Sequence, residues 1–148
     1  MKNRFLRISW AIPMLVGLSS TVVAVEGGRT LQAKLTGFEQ VPTVITTGSG
    51  RFVGTLNEAH TAISYSLTFS NIQGEPIEFA DIHVGQRLVN GGISVFLCST
   101  TPPATTTPPS GTQLCPSGAS GTITGTITAA DIIGPAGQGI AAGNFTKL

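Results

Sequence analysis

From Leu31 onward the chain alternates apolar and polar residues in short runs. Leu31, Ala33 and Leu35 interleave with Gln32, Lys34 and Thr36, a period of two that predicts a half-buried strand. Glu39-Gln40-Val41-Pro42 interrupts it, and Pro42 suits an edge or a bend because it cannot donate to a ladder. Thr47-Gly48-Ser49-Gly50 is a turn, and Phe52, Gly54 and Leu56 resume the alternation. Asn57-Glu58-Ala59-His60 has the length of a hairpin connection. The clearest strand follows: Ile63, Tyr65, Leu67 and Phe69 face a core, and Ser64, Ser66, Thr68 and Ser70 face water.

The next strand spans 77–84. Ile93 to Leu97 is almost continuously apolar and reads as buried on both faces. Ser99 to Ser110 is rich in Thr and Pro, too polar to order itself by burial, and predicts a mobile loop. In Gly121-Thr122-Ile123-Thr124-Gly125-Thr126-Ile127-Thr128 the isoleucines point inward and the threonines outward. Thr128-Ala129-Ala130-Asp131 is a capping pattern that opens a single helical turn. A second helix is expected to begin within 139–148. Short strand after short strand predicts an all-β fold: an antiparallel, Greek-key-like β-sandwich with a short helical segment near its end.

The first residues break this rhythm. Lys2, Arg4 and Arg7 precede an apolar run from Ile8 to Leu18, and Val22-Val23-Ala24 supplies small residues for cleavage. That is the plan of a secretory signal peptide over 1–24, with an uncleaved anchor as the rival. The domain proper runs over 25–148. The net charge of +1 then changes meaning. Three of the eight basic residues lie in the leader, so the remainder carries five basic residues against seven acidic ones, a formal charge of −2. No basic patch or helix is visible in the sequence, which argues against nucleic acid and, once the signal is cleaved, against a membrane surface as partners. Few charges (10%) with 19 glycines leave Thr, Ser, Asn and Gln to make the polar surface of an exported, secreted or periplasmic β protein.

Cys98 and Cys115 lie in the exported part, and an oxidising compartment makes a disulfide the default reading. Closing a loop of that size contributes roughly 3 kcal/mol in the chain-entropy account.

The candidate chemistry is Asp81 and His83, two positions apart on one strand and so on one face. Carboxylate and imidazole are both metal ligands, and His60 is a third candidate if its connection lies at the same rim. Against this stands a simpler reading, in which Asp81 and His83 hydrogen-bond each other or the turn backbone. Zinc sites take at least three protein ligands. No cofactor is implied beyond such a metal ion. Glu75 and Glu78 are close in sequence but nothing marks them as a catalytic pair, and no Gly-x-Ser-x-Gly elbow occurs. Catalysis is not expected.

The ordered motifs Leu31-x-Ala33-x-Leu35-Thr36-Gly37, Glu39-x-Val41-Pro42, Ile63-Ser64-Tyr65-Ser66-Leu67, Ala80-x-Ile82-His83-x-Gly85, Asn90-Gly91 and Gly121-Thr122-Ile123-Thr124 resemble the chordin-type (CHRD) domain. The resemblance covers nearly all of the exported part. This chain has Ala80-Asp81-Ile82-His83 where the family pattern reads Ala-His-Ile-His, and it ends before the family's closing strands. The resemblance therefore implies a C-terminally truncated domain with an exposed sheet edge and part of its core uncovered. It implies a secreted, non-catalytic binding or structural module for an extracellular protein or surface ligand. The alternative is a metal-binding, redox-active sandwich using Asp81 and His83.

Overall fold

The computed structural model describes residues 28–74, 76–100 and 107–148. The predicted signal peptide, Glu75 and half of the Thr/Pro segment lie outside them. Six strands form two antiparallel sheets: β1 Arg29–Thr36, β2 Ser49–Leu56, β3 Ala62–Ser70, β4 Phe79–Val84, β5 Gly92–Ser99 and β6 Gly121–Thr128. One sheet has the order β1-β2-β3-β6, and the other is the β4–β5 hairpin. Strand β6 thus returns to lie beside β3, with the hairpin between them in sequence placed in the opposite layer. The fold is the all-β sandwich that the alternation predicts.

The alternation explains the core. On β3, Ile63, Tyr65, Leu67 and Phe69 are all buried, and they meet Val95 and Leu97 of β5 and Ile123 and Ile127 of β6. Strand β5 is buried from Ser94 to Ser99 on both faces, as its continuous apolar run predicts. One reason lies in its register. Leu97 and Ser94 are extra residues opposite single steps of β4, so β5 carries two bulges while β4 keeps strict alternation. Backbone bonds from Ser99 N–H to Gln113 (2.9 Å) and from Ile133 N–H to Ser94 (2.9 Å) cover its far edge.

A polar knot, buried at Tyr65 and open to solvent at Gln113, ties the layers. The Tyr65 hydroxyl donates to the Leu97 carbonyl at 3.2 Å, and Gln113 Nε2 shares its two hydrogens among Tyr65 Oη, Leu97 O and Thr124 O at 2.9–3.1 Å. Three strands and one loop meet there. Gly125 makes it possible: a Cβ at that position would stand 2.8–3.0 Å from the Tyr65 ring and hydroxyl. Burial raises the Tyr65 pKa, opposed by the Gln113 hydrogen bond and assisted by the charge of Asp131.

Cys98 and Cys115 form the predicted disulfide. The predicted turn after β6 is a 3-10 turn, Ala129–Asp131, with the Asp131 carboxylate accepting from the Thr128 N–H (2.8 Å) and hydroxyl (2.9 Å). The helix expected over 139–148 does not form. Gly139 and Gly143 take φ of 83° and 79°, left-handed values that a right-handed helix excludes, and only short 3-10 turns occur there. That segment instead plugs the core with Ile140 and packs Phe145 against it.

The two sheets are unequal. Four strands face two, so the hairpin covers β3 and β6 and, among the described residues, leaves the inner face of β1 uncovered. Leu31 and Leu35 are 43% and 40% exposed. The other edge of β4 has no strand beside it among the described residues.

Candidate functional site

Strand β4 sends Ala80, Ile82 and Val84 towards the core and so leaves Asp81 and His83 together on its other face. His83 Nε2 lies 3.2 Å from Asp81 Oδ1, and His83 Nδ1 lies 2.8 Å from the Gly91 carbonyl oxygen. Both partners are acceptors. The arrangement therefore calls for a hydrogen on each ring nitrogen, or one on Asp81 that is donated to Nε2. The two side chains are unequally sheltered, with His83 47% exposed and Asp81 only 11%. Burial raises the Asp81 pKa, and His83 pulls it back through charge and hydrogen bonding. Asp81 Oδ2 is buried without a hydrogen-bond partner.

The turn after β4 fixes the imidazole. Gly85 and Gly91 approach so closely that a Cβ on Gly91 would run into the Val84 carbonyl, so residue 91 has to be glycine for its own carbonyl to reach His83. Gln138 clamps the same end of the hairpin, accepting from Gly92 N–H at 2.6 Å and donating to Val84 O at 2.8 Å. Asn90 Nδ2 donates to the Val41 carbonyl at 2.7 Å and ties this turn to the loop after β1.

Between that loop, the β4 edge and the uncovered inner face lies a cleft of about 600 Å3. Leu35, Val44, Leu67, Phe69, Ile72 and Phe79 give it an apolar lining, and Asp81 and His83 contribute to one wall. Such a cavity, mostly apolar with a few polar groups, has the make-up of a binding site.

The structure brings together two of the three sequence candidates. His60 is exposed in the β2–β3 turn with φ of 54°, where Asn57 Oδ1 accepts from the N–H groups of Thr61 (2.8 Å) and Ala62 (3.1 Å). That turn precedes β3, whereas the cleft meets β3 at Leu67 and Phe69, towards its other end. Among the described residues no three His, Cys, Asp or Glu side chains are grouped to hold a metal ion. Gln113, Gln138 and the apolar loop residue Val44 were not singled out in the sequence. A lone Gln in a loop gives no local signal of its contacts.

The sequence model of the CHRD domain matches residues 31–133, more than two thirds of the chain. The chain belongs to the CHRD domain family. The match spans β1 from Leu31 onward, the other five strands whole, the disulfide, and the Asp81–His83 pair. CHRD domains occur in extracellular proteins and are in general non-enzymatic modules. No match is found among curated proteins or among solved structures. No helix among the described residues is long and apolar enough to cross a membrane.

Proposed function

We propose that this CHRD-domain chain is a secreted, non-catalytic binding module that accepts an extended segment of an extracellular protein in the cleft beside β4. One observation carries this reading: an apolar cleft opens beside a strand edge that has no partner strand among the described residues. A free edge offers alternating N–H and C=O groups that a second strand matches, and the apolar lining rewards alternate side chains of that strand. The test is a titration of the isotope-labelled protein with a short alternating valine–threonine peptide, followed by amide chemical shifts. Shifts are expected at Phe79–Val84 and at Leu35 and Phe69. Their absence, or equal shifts spread over the whole surface, sinks the proposal.

A metal-binding reading has one observation in its favour, the unpartnered Asp81 Oδ2. It also has a cost, because both His83 nitrogens already make contacts that a metal would have to displace. Titration with zinc separates the two readings: tight binding lost in His83→Ala supports the metal, and weak binding equal in both proteins removes it.

A further inference from the structure

The outer face of the four-stranded sheet holds a charge arrangement that the sequence does not display. Lys34 of β1 and Arg51 of β2 are direct register partners. Side chains so placed start roughly 5 Å apart, and like charges there oppose each other. Both residues are exposed. Among the described residues neither has an acidic partner, the one ion pair being Asp81–His83. Arginine cannot relieve the repulsion by losing its proton.

Neighbouring groups hold the pair in place and extend it. Gln32 Oε1 accepts from Arg51 Nη2 at 2.8 Å. In register, Arg51 is followed by Thr68 of β3 and Thr122 of β6, whose hydroxyl oxygens are 3.5 Å apart. Ser49 and Ser70 share a hydrogen bond of 3.1 Å in the adjoining row. Gln32, Lys34, Ser49, Arg51, Thr68 and Ser70 together line a groove of about 610 Å3. That volume is far larger than a single bound anion, and beyond the two cations its walls offer the Gln32 amide, neutral hydroxyls and apolar surface from Ala33, Gly50 and Phe69.

We infer that this groove binds an acidic polysaccharide, with one sulfate or carboxylate group held between Lys34 and Arg51 and sugar hydroxyls met by the Thr and Ser rows. Charge complementarity sets the position of the anion. A guanidinium takes a carboxylate or sulfate through two parallel hydrogen bonds, and the ammonium neutralises the remaining charge. The groove shares Ser49, Gly50 and Phe69 with the β4 cleft, but Lys34 and Arg51 alternate with the residues that face the cleft, so a double variant of those two cations separates this inference from the peptide-binding proposal.

The experiment is a chemical-shift titration of the labelled protein with four probes: a chondroitin sulfate oligomer, an unsulfated galacturonate oligomer, a neutral dextran oligomer and inorganic sulfate. Either acidic oligomer is expected to move the Lys34, Arg51 and Thr68 amides, and to bind at least about tenfold more tightly than inorganic sulfate, the effect of one or two added neutral hydrogen bonds to sugar hydroxyls. Chondroitin sulfate also carries carboxylates, so galacturonate binding shows that a carboxylate suffices, and chondroitin sulfate binding without galacturonate binding points to sulfate. Lys34→Gln/Arg51→Gln should lose that binding, while Arg87→Gln keeps it. The double variant should also melt no lower than wild type without ligand, because the like-charge pair is gone, and should lose the wild type's extra rise in melting temperature with the acidic oligomer. Inorganic sulfate binding as tightly as the oligomers, dextran binding equally well, or the double variant binding unchanged would each overturn the inference.

Discussion

Strands β1 and β3 lie two places apart in one sheet and share a two-residue rhythm, Leu-x-Ala-x-Leu in one and Ile-x-Tyr-x-Leu-x-Phe in the other. Leu67 keeps 7% of its surface and Leu31 keeps 43%. The difference does not come from the strands themselves. Strand β3 lies under the β4–β5 hairpin, is flanked by β2 and β6, and is knotted to β5 through Tyr65 and Gln113. Strand β1 is an edge, and among the described residues no layer covers it. Alternation tells that a strand has an apolar side, and a second sheet decides whether that side becomes core.

The comparison is sharpest at its covered end. Ile127→Ala on β6, at a residue 1% exposed, should cost about 2–5 kcal/mol in a urea unfolding curve, whereas Leu31→Ala should cost under about 1 kcal/mol. Equal costs would mean that β1 is covered in solution. Replacing Cys98 and Cys115 by Ala should remove roughly 3 kcal/mol by freeing the loop they close, with the slope of the unfolding curve reporting a more expanded unfolded chain. Tyr65→Phe should cost about 1 kcal/mol, since Gln113 keeps two carbonyl acceptors after the hydroxyl is gone. A loss well beyond that would show the knot acting as one cooperative unit.

The smallest effect concerns pH. Asp81 has a folded pKa raised above its unfolded value, mainly by burial. The folded protein then binds more protons than the unfolded chain between those two values. Stability is therefore greatest below the ordinary carboxylate range and falls as pH rises through it towards the raised value. Melting curves over that window should show the decline in wild type and a flatter profile in Asp81→Asn. A variant that keeps the full slope would place its origin elsewhere.

Several features could be read from neighbouring residues alone. The contact between Asp81 and His83 follows from their spacing on a strand, and the disulfide from two cysteines in a chain whose sequence reads as exported. The strand assignments follow from period two, although the strand expected over 77–84 begins at Phe79. The helix expected within 139–148 does not form because Gly139 and Gly143 take a left-handed backbone that ends any helix there. His60 joins Asp81 and His83 only if they share a rim, and among the described residues no three such side chains are grouped.

The chain by itself determined which side of each strand is greasy, where the turns fall, and which residues of one strand share a face, because these depend on periodicity and on backbone chemistry a few residues long. The tertiary structure decided the rest. Register placed Lys34 against Arg51, though they are 17 positions apart, and folding brought Gln113 to Tyr65 and left β1 bare. Those outcomes depend on which distant strands pair and how many stand in each layer, and no local pattern of side chains encodes that count.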